Sequence, residues 1–158
     1  MAKFLMKVLV DNDDIFTTRL GAAGGYYTDK EVGKFVKLAA ESQYSLCAVG
    51  DQIEGYITSV ETATADNFTI GSVMPAHRKF VTCDGLQATP GTGTIAVGDY
   101  VVCGTVVAKD TKLTAGVPAK VCKATTQTGM YFAWRVVSLN GTAGAVGTFA
   151  VIERVNAS

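Results

Sequence analysis

Few residues in this sequence combine types and spacing that could support catalysis. The only histidine, His77, lies in the polar stretch 75–79, and the chain contains no GxSxG nucleophile elbow. A Ser–His–Asp or Cys–His site would have to use that one imidazole as its base. We therefore predict that His77 is a surface residue and that the protein is not an enzyme.

Metal and phosphate sites have equally little support. Asp11, Asp13 and Asp14 invite a calcium interpretation, but Phe16 occupies the sixth loop position, where an EF-hand needs glycine. The glycine-containing loop 91–93 is not followed by the lysine and helix start of a phosphate-binding loop. We expect a solvated acidic turn, no metal site and no cofactor.

The cysteines do not form a recognisable zinc or redox motif. Cys47, Cys83, Cys103 and Cys122 are far apart, and no CxxC occurs. We favour buried free thiols over two disulfides, because the chain shows no export signal. The disulfide alternative stays open, with three possible pairings.

The length and charge of the chain limit the class of protein to which it can belong. The chain has 158 residues, 48% of them hydrophobic, which is typical of one globular domain with a proper core. Basic and acidic residues number 14 each, so the net charge is zero and nucleic acid is not an expected partner. The apolar N-terminus is too short for a signal peptide, and no run is long enough to span a bilayer. We expect a cytosolic product with no membrane partner.

Glycine-punctuated runs of β-branched and aromatic residues predict an all-β fold. The clearest strands are 100–107, 130–139 and 148–155, each between turn residues. We expect short antiparallel strands that close into a single β-barrel or a jelly-roll-like sandwich, with an extended N-terminal arm. The domain organisation would be an arm or first strand and a Gly-rich linker at 1–28, then the β-body at 29–158.

Alternation within the second of these strands predicts a major core face. Met130, Phe132, Trp134 and Val136 fall on one side of the strand, because successive side chains point to opposite faces. Arg135 is the polar residue on the other side.

Two segments carry local signals for secondary structure. Asp84-Gly85, between two short apolar runs, predicts a two-residue hairpin turn. The segment 28–43 is compatible with a helix, because Thr28 and Glu31 have the spacing of a capping box. It is also compatible with a strand, because apolar residues fall on one strand face, and the pattern alone does not decide.

A short internal repeat links the two halves of the chain. The tetrapeptide Ala-Val-Gly-Asp at 48–51 recurs at 96–99, each time before an apolar run. Glycine adopts the backbone angles that turn the chain, and the aspartate caps the turn. We favour two similar turns within one domain, with a duplicated half-domain as the alternative.

The N-terminal arm is the first candidate interaction surface. Phe4, Met6, Val8 and Val10 alternate with Leu5 and Leu9, so both faces of the arm are mostly apolar. Such a strand should not remain in water. It is either an inner strand of its own domain or a strand that adds to a neighbouring protein.

The second candidate surface is a short basic patch. It consists of His77, Arg78 and Lys79, followed by Phe80. The patch could dock on an acidic protein surface, or it could be an exposed loop with no partner.

Three stretches resemble a known protein family. DKEVGKFVKL (29–38), LCAVGDQIEGYITSV (46–60) and VGDYV (97–101) are rich in short glycine-containing turns that lead into strands. In this they resemble the head decoration, or capsid cement, proteins of tailed bacteriophages, over roughly residues 29–110.

The resemblance implies a small β-barrel or jelly-roll-like subunit on the outside of a phage head. Such a subunit would be made in the host cytoplasm, form a homodimer or homotrimer, and bridge neighbouring major capsid proteins. It favours a strand after Thr28 and transfers no catalytic residue. The alternative is another virion or surface binding module, such as a tail or carbohydrate-binding β-domain, with Tyr26, Tyr27 and Tyr56 as candidate sugar-stacking residues.

Overall fold

The computed structural model describes residues 15–21, 27–61, 69–75, 80–85, 91, 94–114, 118–140 and 149–156. In these ranges the protein has ten β-strands and one short 3₁₀ turn. The first half contains β1 (Phe16–Leu20), β2 (Phe35–Ala40), β3 (Gln43–Leu46), β4 (Gly55–Glu61) and β5 (Thr69–Pro75). The second half contains β6 (Phe80–Gly85), β7 (Tyr100–Cys103), β8 (Lys120–Lys123), β9 (Phe132–Asn140) and β10 (Phe149–Asn156). The predicted all-β class is confirmed.

Each half closes into a five-stranded barrel. The strand order is β1-β3-β2-β4-β5 in the first barrel and β6-β8-β7-β9-β10 in the second, with the first and last strands of each paired. The pairs β1–β3 and β6–β8 are parallel, and the other pairs in both barrels are antiparallel. The two halves therefore share one topology, strand for strand, where the sequence led us to expect one barrel.

The apolar core of the second barrel extends across the contact into the first barrel. The interior of the first barrel is lined by Leu20, Val36, Ile57 and Val73. The interior of the second barrel forms a single cluster with three buried residues of the first, Phe35, Cys47 and Ile53. We refer to this contact as the joint. Small barrels enclose little apolar volume each, so covering their ends against one another adds burial that neither has alone.

The predicted core face of β9 is largely confirmed. Trp134 and Val136 are almost completely buried, and Phe132 packs against the same cluster. Arg135 points to the outer surface, where it pairs with Glu153. Met130 lies in the turn before β9 and is only half-buried.

The predicted hairpin turn at Asp84-Gly85 is wrong. Both residues lie within β6, where they pair with Lys120 and Val121 of β8. Pairing also occurs on the opposite side of Asp84, with Phe149 of β10. Ladders on both sides of the strand override the turn propensity of the dipeptide.

The ambiguous segment 28–43 contains both predicted features in succession. Thr28 and Glu31 do form a capping box, but it caps only a 3₁₀ turn at Asp29–Glu31. Gly33, with a φ of +86°, then redirects the chain into β2. A positive φ ends the helix because it breaks the right-handed geometry.

The predicted strand 100–107 ends early, at Cys103. The next residue, Gly104, lies so close to β8 that an added Cβ would be 2.8 Å from the carbonyl carbon of Val121. Its N–H donates to the carbonyl of Lys120 at 2.8 Å. This close backbone approach requires glycine and directs the chain away from the sheet.

Part of the segment predicted as arm and linker lies in the first barrel. β1 pairs with both β5 and β3, so residues 16–20 are an integral part of that barrel. Residues 1–14 lie outside the described part of the chain. In that part, no helix is long and apolar enough to cross a bilayer.

Trp134 is expected to stabilise the joint, because its Nε1–H donates a 2.9 Å hydrogen bond to the buried carbonyl of Ile53 in the first barrel. Trp134→Phe leaves that carbonyl unpaired and should cost about 1–3 kcal/mol of unfolding free energy. Trp134→Ala also creates a cavity and should cost about 3–5 kcal/mol. Urea denaturation followed by circular dichroism measures both.

The matched control is Tyr131→Ala, at an aromatic side chain that is 92% exposed. It should change the unfolding free energy by less than about 0.5 kcal/mol. A Trp134→Ala protein with the wild-type urea midpoint would contradict the proposed role of the joint.

Candidate functional site

Four turns of one geometry precede strands β2, β4, β7 and β9, one turn before each strand. They are residues 31–34, 48–51, 96–99 and 127–130. In each, the N–H of the fourth residue donates to the carbonyl of the first at 3.1–3.2 Å, and the third residue is a glycine with φ between +80° and +95°. Positive φ at the third position is the requirement of a type II turn. We refer to these four as the glycine turns.

Two glycine turns dock on a strand of their own barrel. In turn 31–34, the Gly33 N–H donates to the Ile57 carbonyl at 2.8 Å, and the Ile57 N–H donates back to Lys34 at 3.0 Å. Turn 96–99 makes the same pair of bonds with Val136, at 2.8 and 2.9 Å. Each turn thus extends the sheet by one ladder position and is held rigidly against it.

The turn 48–51 makes the same two bonds, but across the joint. The Gly50 N–H donates to the Cys103 carbonyl at 2.8 Å, and the Cys103 N–H donates to Asp51 at 2.9 Å. Cys103 is the last residue of β7, so the first barrel adds a ladder position to a strand of the second. The Gln52 side-chain amide also donates to the carbonyl of Phe132 at 3.0 Å.

The two Ala-Val-Gly-Asp copies occupy different places in the two barrels. The copy at 48–51 precedes β4, whereas the copy at 96–99 precedes β7, whose counterpart in the first barrel is β2. The two tetrapeptides form similar turns, which is the interpretation that we favoured from the sequence. The halves nevertheless repeat each other in topology, with the glycine turns at corresponding positions.

The aspartates of these turns are occupied by structural contacts. Asp51 Oδ2 accepts from the Ala48 N–H and from Lys37 Nζ, both at 2.6 Å. The hydrogen bond from Lys37 to Asp51 raises the pKa of Lys37 above its ordinary value. Asp99 Oδ2 likewise pairs with Lys123 Nζ at 3.0 Å, at the edge of an open depression of about 320 Å³. The carboxylates hold the turns together and are half-buried.

The residues that the glycine turns present to solvent are mainly apolar. Val32, Val49 and Val97 each stand second in a turn and are exposed. Tyr131 directly follows the fourth turn and is 92% exposed. Aromatic residues are enriched at protein interfaces, and apolar side chains on a pinned backbone lose little entropy on binding. These four side chains are the candidate interaction surface.

A buried ion pair connects the first glycine turn to the second barrel. Glu31 and Lys34 are 0% and 3% exposed, and Lys34 Nζ lies 3.2 Å from Glu31 Oε1. Glu31 also accepts from the N–H groups of Thr28 at 2.7 Å and Asp110 at 2.6 Å. Lys34 donates to the carbonyl of Ala108 at 2.8 Å. Burial alone would raise the pKa of Glu31, but these N–H groups and the ammonium together hold it below its ordinary value.

The cysteines are free and buried, as expected from the sequence. A hydrogen bond with Cys103 and then burial raise the pKa of Cys47 far above its ordinary value. Burial, with Asp84 nearby, raises the pKa of Cys83, and burial with Cys103 nearby raises that of Cys122 to about 11. Since the thiolate is the nucleophile, these sulfurs pack as small apolar groups and do not provide reactive sites.

Most of the predicted site residues lie outside the described part of the chain. These are Phe4, Met6, Val8, Val10, His77, Arg78 and Lys79. Phe80 is the first residue of β6, and only its backbone is described. Sequence reasoning missed the exposed valines because it treated the Ala-Val-Gly-Asp repeat only as a turn signal. The repeat itself marked two of them.

Among the described residues, no three His, Cys, Asp or Glu side chains are placed to hold a metal ion. No protein-family profile, curated protein or solved structure matches this chain.

Glu31→Gln should destabilise the protein by about 3–5 kcal/mol at neutral pH, because Lys34 remains buried without its counter-charge. Since the folded pKa of Glu31 is lowered, its contribution is present above the unfolded pKa and is lost as pH falls through the folded pKa. Wild-type stability should therefore fall more steeply than that of the variant below about pH 4.3.

Urea midpoints recorded across this pH range measure the difference. The control is Glu41→Gln, in the exposed turn between β2 and β3. Equal stability of Glu31→Gln and Glu41→Gln at neutral pH would show that the buried pair is not structurally important.

Proposed function

We propose that this protein is a structural component of a virion, which binds the outside of a phage head and bridges neighbouring major capsid proteins. The observation that carries the proposal is a set of exposed side chains at the glycine turns: Val32, Val49 and Val97 on the three docked turns, and Tyr131 directly after the fourth. The resemblance of residues 29–110 to head decoration proteins supplies the identity of the partner.

A bridging protein has to transmit force between the subunits that it contacts. Here the two barrels are linked by backbone hydrogen bonds through Gly50 and Cys103, and the apolar cluster of the second barrel includes Phe35, Cys47 and Ile53 of the first. Binding surfaces on the two halves are thus held at a fixed separation. Such a body resists movement of the two surfaces better than two domains on a flexible linker.

Shell stabilisation follows from linkage. A protein that binds only the assembled, expanded shell adds its binding free energy to that state, which then resists expansion and dissociation. Each contact can be weak, because a subunit with several contacts benefits from a high effective concentration. Neutral net charge reduces repulsion between copies crowded on one surface.

The carbohydrate-binding alternative loses support at its candidate aromatics. Tyr27 is 4% exposed, and its hydroxyl oxygen accepts the Leu46 N–H at 2.9 Å, so it helps to close the first barrel. Tyr56 is half-buried against the joint, and Tyr26 lies outside the described residues. A sugar-stacking site needs an accessible ring, which Tyr27 does not offer.

We expect the purified protein to co-sediment with expanded, undecorated heads of the cognate capsid protein and to raise the temperature at which they disrupt. A variant with Val32, Val49 and Val97 changed to Ser should bind about tenfold more weakly or worse, a loss of about 1.4 kcal/mol or more. The control carries Thr17→Ser, Thr105→Ser and Thr114→Ser, at exposed positions of the same body. Wild-type protein that binds no heads, or binds a glycan array instead, would refute the proposal.

Deleting residues 1–10 separates the two interpretations of the arm. If Phe4, Met6, Val8 and Val10 contact the coat, the shortened protein should fold normally and bind heads less well. Circular dichroism and co-sedimentation measure the two properties. Collapse of folding, or unchanged binding, would show that the arm is not an interface.

A further inference from the structure

The common topology assigns each residue of the joint a counterpart in the other barrel. Phe35 pairs with Tyr56 in the first barrel as Tyr100 pairs with Arg135 in the second. Three residues further along β2 and β7, Leu38 therefore corresponds to Cys103. The glycine turns before β4 and β9 correspond in the same way, so turn 127–130 is the counterpart of turn 48–51.

The contact across the joint is made in one direction only. Turn 48–51 of the first barrel docks on Cys103, which is 3% exposed. The converse contact, turn 127–130 on Leu38, is not made within the chain. Leu38 is 52% exposed, Tyr131 is 92% exposed, and a Cβ on Gly129 would meet no atom within 4 Å. One docking turn and one docking edge therefore remain uncovered.

We propose that turn 127–130 of one copy docks on the β2 edge at Leu38 of a second copy. The contact repeats between chains the one that turn 48–51 makes with Cys103 inside a chain. The Gly129 N–H would donate to the Leu38 carbonyl, and the Leu38 N–H would donate to the Met130 carbonyl. Because turn and edge belong to different barrels, the association is head-to-tail, which builds rings or open filaments.

In the single chain, a carboxylate accepts the hydrogen bond of the Leu38 N–H but leaves the side chain of Leu38 exposed. The Leu38 N–H donates to Glu54 Oε2 at 2.6 Å, whereas the Cys103 N–H donates to the backbone of Asp51. A charged side chain on an exposed edge is a common way to prevent unwanted strand pairing. Glu54 is half-exposed, so an incoming turn returns its carboxylate to water. Glu54 therefore opposes the association and limits its strength.

A second copy of this chain is the expected partner of the edge at Leu38, because turn 48–51 already docks on the equivalent edge at Cys103 within the chain. Residues 127–131 carry no charge, so they meet neither Lys37 nor Glu54 with a like charge. The contact between chains should be weaker than the joint. Gly55 stands at the position of Trp134, so the tryptophan hydrogen bond has no counterpart.

Sedimentation velocity on the purified protein, without heads, tests this between about 1 and 300 µM, the range of weak interfaces. We expect concentration-dependent association that Leu38→Ser and Tyr131→Ser each weaken about tenfold and Glu54→Ala strengthens about tenfold. Thr111→Ala is the control, because this exposed threonine lies in the loop between β7 and β8, on neither the turn nor the edge. It should leave association unchanged.

Isotope-mixed cross-linking identifies the surfaces. A photoreactive residue at position 38 of unlabelled protein, mixed with ¹⁵N-labelled wild type, should attach to labelled peptides from 124–135. The proposal is overturned if wild type and Glu54→Ala both stay monomeric, if Leu38→Ser and Tyr131→Ser associate like wild type, or if cross-links lie elsewhere. Head binding is measured separately, so either proposal can fail alone. Cross-links found only to coat protein on heads would assign this edge to the coat instead.

Discussion

The structure depends on one backbone contact, the pair of hydrogen bonds between the turn at Gly50 and the end of β7 at Cys103. Only a residue that tolerates positive φ can present its N–H and the next carbonyl in this way. The contact sets how the barrels meet, and that arrangement buries Cys47, Ile53 and Cys103 together. Without it, two small barrels would each expose an apolar end.

The four thiols and one ion pair lie in the interior of this arrangement. The Glu31–Lys34 pair is buried between the halves, and burial in the core helps to raise the pKa values of the Cys47 and Cys83 thiols. Three of the glycine turns present valines to solvent, and Tyr131 is exposed directly after the fourth. In the described part of the chain, the features that face outward are thus suited to contact and those that face inward to cohesion. This division is what we expect of a protein that braces others.

The sequence predicted the parts of the fold that depend on local pattern. Alternation on β9 identified Trp134 and Val136 as core, and β-branched runs identified the strands around them. It did not predict two barrels, because parallel pairs such as β6–β8 join residues distant in sequence and leave no periodic signal. For the same reason Asp84-Gly85 indicated a turn, although ladders on both sides hold it in a strand.

The repeat of Ala-Val-Gly-Asp shows a subtler limit. It correctly indicated two similar turns, but the tetrapeptide at 96–99 is the structural counterpart of residues 31–34, where only Val32 and Gly33 are retained. Backbone geometry in these turns requires the glycine and little else. The two halves therefore repeat the same topology although their sequences are hardly similar, and the correspondence is visible only in the structure.

Differential scanning calorimetry tests most directly whether the joint makes the two barrels one body. We predict a single transition, with the calorimetric enthalpy equal to the van't Hoff enthalpy, because the core of the second barrel includes buried residues of the first. Two separate transitions, or a calorimetric enthalpy well above the van't Hoff value, would mean that the barrels unfold independently, and would contradict the account.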